Sequence, residues 1–577
     1  MTTTSFIREV ISSAETPFIN MTLPYPVSVA TEADDEGTLD EVTAPLSSPA
    51  QAVHEKAFAK IHFNEGETPA APIDEYKAML KEMRSTFRGG KTRDLAWRKH
   101  QLNQLIKLCL ENIDAIVEAM GIDLGGPKLR SVFEMGFVEQ ARYALKNLDR
   151  WARDEPVAFG SPWGRNVVRR EPKGVVLCIS PWNFPINLAL DPLVAILAAG
   201  NCCVLKPSEM ASASCALLTR LVPRYMDPDA VRIITGGAPE VTALLELKWD
   251  HIMYTGNGSV GRVVMAAAAK HLTPVTLELG GKSPVIVDKS AKIDLAAKRI
   301  AQGKWISNAG QVCISPDYVL VDKEVEAPLL DALAREANGM LGSDKQAHGA
   351  GAPPNGELEH AYGKIINERH VERLASLLDE CGGKAVLGSA RDIDAKQRYV
   401  PPMIISRPRP DAELLSQEIF GPILPVCPVA SIDEAIERAR FICETPLALY
   451  VFSENRATAE RVLRATTSGG AAVNTTMEHV LTAQMPFGGV GESGTGAYHG
   501  RFGFDEFSHK RSILYRSTVV PMLMLPPVVK RGLVPSWLYA LVLRMKVTGF
   551  LPPALKATLA ALVAAVVAAA CSLLLRA

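Results

Sequence analysis

Val175-Val176-Leu177-Cys178-Ile179-Ser180-Pro181-Trp182-Asn183-Phe184-Pro185 decides the fold: an apolar run of strand type, a proline-punctuated turn, and then an apolar stretch of helical length ending at Ala199-Gly200. The pattern then repeats. Cys202-Cys203-Val204-Leu205 reads as a second strand ending in Lys206-Pro207-Ser208-Glu209, Cys215–Tyr225 as a helix, and Val231-Arg232-Ile233-Ile234 as a third strand. Short strands separated by helices imply parallel pairing through crossovers, hence an α/β fold with a doubly wound sheet. Residues just past the C-terminal ends of such strands are where ligands bind.

Downstream, His251-Ile252-Met253-Tyr254 enters Thr255-Gly256-Asn257-Gly258-Ser259-Val260-Gly261, followed by a helix of small residues, Arg262–Lys270. Glycines there permit close approach of backbone to a ligand, and a helix behind them offers unpaired amides to phosphate. The run is neither a GxGxxG fingerprint nor a triphosphate loop, so by itself it reads first as a plain tight turn, with a cofactor loop as the alternative. Strand and helix alternate again from Pro284-Val285-Ile286-Val287 through Tyr318–Val321, with a surface loop expected over 343–362 and a helix over Lys364–Glu380. Glu418–Val426 reads as a loop running into a strand, Ile432–Phe441 as a helix and Leu447–Phe452 as a strand; glycines at 488, 489, 491, 494, 496 and 500 predict an irregular segment. Upstream, Leu102, Leu105, Ile106, Leu108, Leu110, Ile113, Ile116 and Val117 recur near the helical period inside 73–151. Residues 1–72, rich in Thr, Ser, Pro, Glu and Ala, read as a flexible extension.

Length and composition bound the function. A chain of 577 residues suggests two or three domains. With Lys plus Arg at 62 against 63 acidic residues, no excess of positive charge recommends nucleic acid as a partner. The ten cysteines form no CxxC pair, which suits reduced thiols, and no ligand-spaced cluster calls for a metal. The first thirty residues show no secretory pattern.

The chemistry-bearing stretch is Gly310-Gln311-Val312-Cys313-Ile314, downstream of Leu277-Glu278-Leu279-Gly280-Gly281-Lys282. A thiol attacks an electrophilic carbon, and a nearby carboxylate manages its proton or that of a water. Each residue also has a plainer reading: Cys313 as a small buried hydrophobe, Glu278 as a surface carboxylate, Asn183 as a helix cap before Pro185, Lys206 and Glu209 as a solvated turn, Phe420 as core.

Taken together, Pro181–Pro185, Lys206–Glu209, the 255–261 loop, 278–282, 310–313, 418–422 and 486–489 resemble the aldehyde dehydrogenase superfamily, most closely its membrane-anchored fatty aldehyde (class 3-like) branch. The resemblance spans about 75–515. It implies two doubly wound α/β domains plus an oligomerisation arm: an NAD(P)-binding domain over 73–278 with arm near 155–172, a catalytic domain over 279–474, and a return segment and arm over 475–515. It makes Cys313 the nucleophile, Asn183 an oxyanion donor beside the Cys313 amide, and Glu278 the base for the hydrolytic water. It assigns the cofactor to Trp182, Lys206, Glu209, Gly256, Asn257, Gly258, Val260, Gly261, Glu418 and Phe420, and places Asn474 and Phe487 around the substrate. A carboxylate at Glu209 beside the adenosine ribose favours NAD over NADP, though the branch uses either.

Beyond Arg511 the character changes. The stretch 516–556 mixes apolar residues with Lys530-Arg531, Trp537, Tyr539, Arg544 and Lys546, as a membrane-interface segment would. Ala557–Leu575 carries no charge, and at 1.5 Å per residue spans about 28 Å, so a single C-terminal transmembrane helix with catalytic domains in the cytosol is expected. A buried Ala-rich helix is its alternative. The implied substrate is a long-chain or other lipophilic aldehyde, the implied partners membrane lipid and a second copy of the chain. Competing readings are an apocarotenal-type dehydrogenase, a cysteine-dependent esterase and a non-catalytic membrane scaffold.

Overall fold

A computed structural model describes residues 72–157, 164–341 and 362–516, with positions 561 and 565. The extension, the surface loop expected before 362, and the expected interface segment and transmembrane span therefore lie outside the described residues, those two positions and the edges of the segments excepted. Among the described residues no helix is long and apolar enough to cross a membrane.

The chain divides into two compact units, Met1–Glu155 with Val168–Ser512, and Pro156–Val167 with Ile513–Ala577. Within the smaller unit, the Val157 amide donates to the Asn166 carbonyl at 3.1 Å and the Arg165 guanidinium lies 5.9 Å from the centre of the Tyr515 ring. Strands Glu155–Pro156, Gly164–Pro172 and Ser508–Arg516 form a three-stranded sheet in that order.

The larger unit holds the site. Its first described helices are Ile73–Arg88, Leu95–Glu111, Ile113–Asp123 and Gly136–Trp151. Leu102, Leu105, Leu108, Ile113 and Ile116, members of the apolar stripe, are buried. Next comes a six-stranded sheet in the spatial order Gly494–Thr495, Val275–Leu279, His251–Gly256, Val175–Ile179, Cys202–Lys206, Val231–Ile233. Both faces of Val175–Ile179 are covered: Val176 and Cys178 join one apolar cluster, Val175, Leu177 and Ile179 another. That double burial is why the strand reads as an unbroken apolar run. The chain leaves this strand toward Cys202–Lys206 on one side and returns for His251–Gly256 on the other, which pairs with it in parallel, Ile179 opposite Tyr254. The crevice at the reversal is a topological switch point. A seven-stranded sheet follows, ordered Lys384–Leu387, Met403–Ser406, Ile423–Val429, Tyr318–Asp322, Pro284–Val287, Ala448–Phe452, Gly470–Val473. The six-stranded sheet is wound outward from Val175–Ile179 in both directions, whereas in the seven-stranded sheet the chain passes from Tyr318–Asp322 to the edge strand Lys384–Leu387 and works back inward through Met403–Ser406 to Ile423–Val429.

Three local expectations need correction. The helix expected over Lys364–Glu380 is confined to Glu368–Ser376. Its first residues are drawn off by tertiary partners: the Lys364 amide donates to the Leu124 carbonyl at 2.6 Å, that of Ile365 to Arg398 at 2.9 Å and that of Ile366 to the Gln311 side chain at 3.0 Å. The small-residue helix starts at Gly258 rather than Arg262, because the Asn257 side chain accepts from the Val260 amide at 2.9 Å and caps it. Finally, the glycine-rich segment contributes a strand, Gly494–Thr495, antiparallel to Val275–Leu279 with Gly494 opposite Glu278. At Gly494, φ is +139° and a Cβ would fall onto the Leu277 carbonyl oxygen, so the glycine serves close approach rather than looseness.

Candidate active site

Cys313 follows a helix that does not end cleanly. Ile293–Ala301 passes into a π-turn, Gln302–Ile306, and then through Asn308, Ala309 and Gly310 with φ of 55°, 51° and 75°. Successive left-handed residues are strained for any side chain but glycine, and a Cβ at Gly310 would collide with the Gly421 carbonyl. The loop persists because its polar groups are pinned. Gln311 Nε2 donates to the carbonyls of Asn308 at 3.1 Å and Lys364 at 3.0 Å, while its Oε1 accepts from Ile366.

This loop is stitched to the turn that ends the Val175–Ile179 strand. Asn183 Nδ2 donates to the Gln311 carbonyl at 3.0 Å, and Asn308 Nδ2 donates to the Asn183 carbonyl at 2.8 Å. Asn183 is buried, and its amide has two hydrogens, so one is committed to Gln311 and the other remains for a ligand oxygen. Cys313 is half-buried, at the margin of an apolar cluster that includes Trp305, Val312, Ile314, Phe487 and Tyr498.

Glu278 comes from the neighbouring strand end, in register with Thr255. Only 1% of its surface is exposed, and neither carboxyl oxygen has a hydrogen-bond partner among the described residues. Burial pushes the carboxyl up to about 7, partly offset by the nearby Cys313 thiol and Thr255 hydroxyl, which lie beside it without completing a well-formed hydrogen bond. The thiol is itself driven well above its ordinary range, first by burial and then by the Glu278 and Glu418 charges. At neutral pH the thiol therefore carries its proton, and its use as a nucleophile would require a base close by.

Glu418 enters from the other sheet's side and is held. Its Oε1 accepts from the Gly281 amide at 3.2 Å, and a Cβ on Gly280 would collide with it. Burial, then the Asp317 charge, raises this carboxyl to about 7, with Lys282 and Arg373 acting against the rise. The backbone around it is fixed by three side chains. Lys282 Nζ binds Asp317 and donates to the carbonyls of Leu414 at 3.0 Å and Gln417 at 2.9 Å. Asp317 Oδ1 accepts from the Ile419 amide at 3.1 Å, and Arg373 donates to the Ile419 carbonyl at 2.6 Å. Phe420, at φ 50°, meets Trp182 edge-on with ring centres 5.3 Å apart, and His370 lies against the same indole.

The remaining residues anticipated from sequence fall into two groups. Lys206 Nζ donates to Glu209 Oε2 at 2.7 Å and to the Pro207 carbonyl at 3.2 Å at the end of its strand. Gly256 closes the adjoining strand, and Gly261 lets the helix behind it approach, since a Cβ there would come within 2.8 Å of Leu279. These groups fit a nicotinamide dinucleotide: a lysine with a donor to spare beside a half-exposed carboxylate, and a capped helix start over glycines. Phe487 packs on Tyr498 at 5.5 Å and stacks on His499 at 5.4 Å. Asn474, by contrast, spends both ends of its amide on the Ser453 backbone, accepting at 2.9 Å and donating at 3.0 Å, and so latches two strand ends. Among the described residues no group of three or more His, Cys, Asp or Glu is placed to hold a metal ion.

Several contributors escaped the sequence reading. Thr255 lay inside the quoted glycine loop, and Gln311 and Lys282 inside quoted motifs, but Asn308, Asp317 and Arg373 are single polar residues whose partners lie far along the chain.

Comparison with known proteins closes the question of kinship. The model of the aldehyde dehydrogenase family matches residues 63–513. The chain is 43% identical to the mouse (Mus musculus) aldehyde dehydrogenase, dimeric NADP-preferring, over 77% of its own length and 95% of that protein's. It is 43% identical to Arabidopsis thaliana aldehyde dehydrogenase family 3 member H1, over 77% and 90% of the two chains. Among solved structures, the substrate-bound Staphylococcus aureus AldH superposes with a TM-score of 0.71 at 35% identity, covering 77% of this chain and 95% of that one. With its thiol, amide and carboxyl gathered at a switch point and most of its length matched, this chain belongs to the aldehyde dehydrogenase family.

Proposed function

We propose that this protein oxidises long-chain or otherwise lipophilic aldehydes to carboxylic acids with NAD or NADP. The observation that carries the reading is the meeting of three groups: Asn183, tied to the Cys313 loop through Gln311 and Asn308, the Cys313 thiol, and Glu278 lying beside that thiol. Glu278 takes the Cys313 proton, and the sulfur bonds to the aldehyde carbon. The oxygen that becomes negative is met by the spare Asn183 hydrogen and the Cys313 amide. A nicotinamide held by the residues below would supply the acceptor for the hydride lost from that carbon, and Cys313 would then carry a thioester. Once Glu278 has released the thiol's proton to solvent, it deprotonates a water, whose attack on the thioester frees the acid and expels the sulfur, to which Glu278 returns the proton. Glu418 is the second candidate for either proton, because its charge too reaches the thiol and its carboxyl is also raised to about 7.

Lys206, Glu209, the 256–261 loop, Trp182, Glu418 and Phe420 hold the cofactor in this reading. Glu209 is half-exposed and swung onto Lys206, so it can yield to a 2′-phosphate; the relatives named NADP-preferring make NADP a full alternative. The name "dimeric" of the same relatives supports a homodimer. Residues 73–278 bind cofactor, 279–474 carry the nucleophile, and 155–172 with 475–515 form the arm. The apolar margin of Cys313 favours a hydrocarbon tail, each buried methylene contributing about 0.8 kcal/mol. The uncharged Ala557–Leu575 stretch, preceded by cations, supports a C-terminal membrane anchor that keeps the site cytosolic.

The test is NAD(P)H formation across a series of saturated aldehydes and one apocarotenal, each with NAD and with NADP. Catalytic efficiency is expected to climb with chain length; a preference for short polar aldehydes would reject the substrate class. Deleting the residues from about 552 onward should move the enzyme to the soluble fraction, and a full-length protein already soluble would reject the anchor.

A further inference from the structure

Asn183 can serve an oxyanion only if its turn is held still, and nothing in that turn is regular secondary structure: the helix behind it begins at Asn187. The first amides of a helix lack intrahelical partners. Here they are met from a distant part of the chain. Glu134 Oε2 accepts from the amides of Ile186 at 3.0 Å and Asn187 at 2.9 Å. The clasp is reciprocal, since Asn187 Oδ1 accepts from the Phe137 amide at 2.8 Å. A side chain on Gly136 would begin to crowd it, its Cβ lying 3.2 Å from Asn187 Oδ1.

Glu134 is an expensive group to keep. It is 1% exposed, and its second oxygen, Oε1, has no hydrogen-bond partner among the described residues. Burial raises its carboxyl to about 7 despite the two amides and the Arg130 guanidinium, with the Asp123 charge adding to the rise. A capping serine or asparagine would satisfy a helix start at lower desolvation cost. A buried, half-satisfied carboxyl that grips the residues following Asn183 is a feature of placement rather than of stability.

We propose that Glu134 is a positioning residue that fixes Asn183 for oxyanion binding by anchoring the first turn of the helix behind it. The inference rests on the role given to Asn183 above. Because displacement of about 1 Å can cost a hundredfold in rate, the effect should fall on kcat rather than on ground-state binding.

The test compares Glu134→Ala, Glu134→Asp and Glu134→Gln, alone and combined with Asn183→Ala, in the full-length protein. The readouts are kcat and KM for aldehyde oxidation, the Kd for NADPH by fluorescence, and the rate of Cys313 alkylation by iodoacetamide, a displacement that develops no oxyanion. Glu134→Ala should lower kcat by about tenfold to a hundredfold. Alkylation and NADPH binding should stay near those of the parent. Glu134→Asp, whose acceptor is withdrawn, should show the same loss in part, which serves if the alanine variant does not fold. Glu134→Gln, which still accepts from both amides, should recover most of kcat. In the Asn183→Ala background, Glu134→Ala should cost nothing more. Unchanged kcat in Glu134→Ala and Glu134→Asp, an equal loss in both backgrounds, or a loss that tracks alkylation and is not recovered by Gln would overturn the proposal while leaving Asn183 its role. Full activity in Asn183→Ala alone would overturn both.

Discussion

Glu278 and Glu418 are two carboxyls raised to about the same value, 7, by two different surroundings. Glu278 sits on a strand of the six-stranded sheet, with no hydrogen-bond partner for either oxygen among the described residues. Glu418 sits in a loop, tied to the Gly281 amide and flanked by Lys282, Asp317 and Arg373. Equal proton affinity therefore does not mean equal duty. A carboxyl without fixed partners can turn toward a thiol or a water and change its charge; one clamped by an amide among fixed charges is built to hold something in place.

Removing the sulfur that faces both carboxyls has the largest expected effect. Cys313→Ala should reduce aldehyde oxidation below detection while NADPH still binds; retained oxidation would mean another nucleophile. Next is Glu278→Gln, expected to lose about 10²- to 10⁴-fold in steady-state rate. A rapid-mixing trace should still show a first burst of NAD(P)H if its main duty is thioester hydrolysis. If Glu418→Gln gives the slow-turnover burst and Glu278→Gln is nearly silent, the two duties are exchanged. Otherwise Glu418→Gln should act mainly through cofactor placement, with a loss of about tenfold in the hydride-transfer step, read by a deuterated aldehyde. The absence of an increased isotope effect would count against that duty.

The smallest effect concerns stability. Glu278 is raised in the folded protein from the ordinary 4.5 to about 7, so between those values the folded state binds the extra proton. Stability from this group is therefore greatest below pH 4.5, falls as pH rises toward 7, and is flat above. Glu278→Gln should raise the unfolding temperature at pH 8 by about 2–4 °C and leave it unchanged at pH 4. An equal shift at both pH values would show that packing, not ionisation, is responsible.

Much of this arrangement was legible beforehand because it is written in local patterns. The run Val175–Ile179 and its repeats announce the winding of the first sheet, and Asn183, Glu278 and Cys313 stand where strand ends or their loops must lie. Asn257 belonged to the loop already read as a ligand turn, yet its capping bond moved the helix start from 262 to 258. What was hidden is non-local. Nothing near Glu134 points to Ile186, and nothing near Arg373 points to Ile419, because such bonds are decided only when distant segments dock. The short strand Gly494–Thr495 inside the otherwise irregular stretch 482–496 was missed for a related reason: glycines spaced for close approach to another strand look the same in sequence as glycines of an irregular segment.

The pairing of Gly494 with Glu278 also sets a timetable for biogenesis. The ribosome makes the strand that carries Glu278 more than 200 residues before it makes the one that covers its edge. At about 5–20 residues per second, that edge waits on the order of ten to forty seconds for its cover. Nascent chains stalled inside that window would present an open strand to chaperones and to one another, so a ribosome pause before Gly494 endangers the enzyme more than one after it.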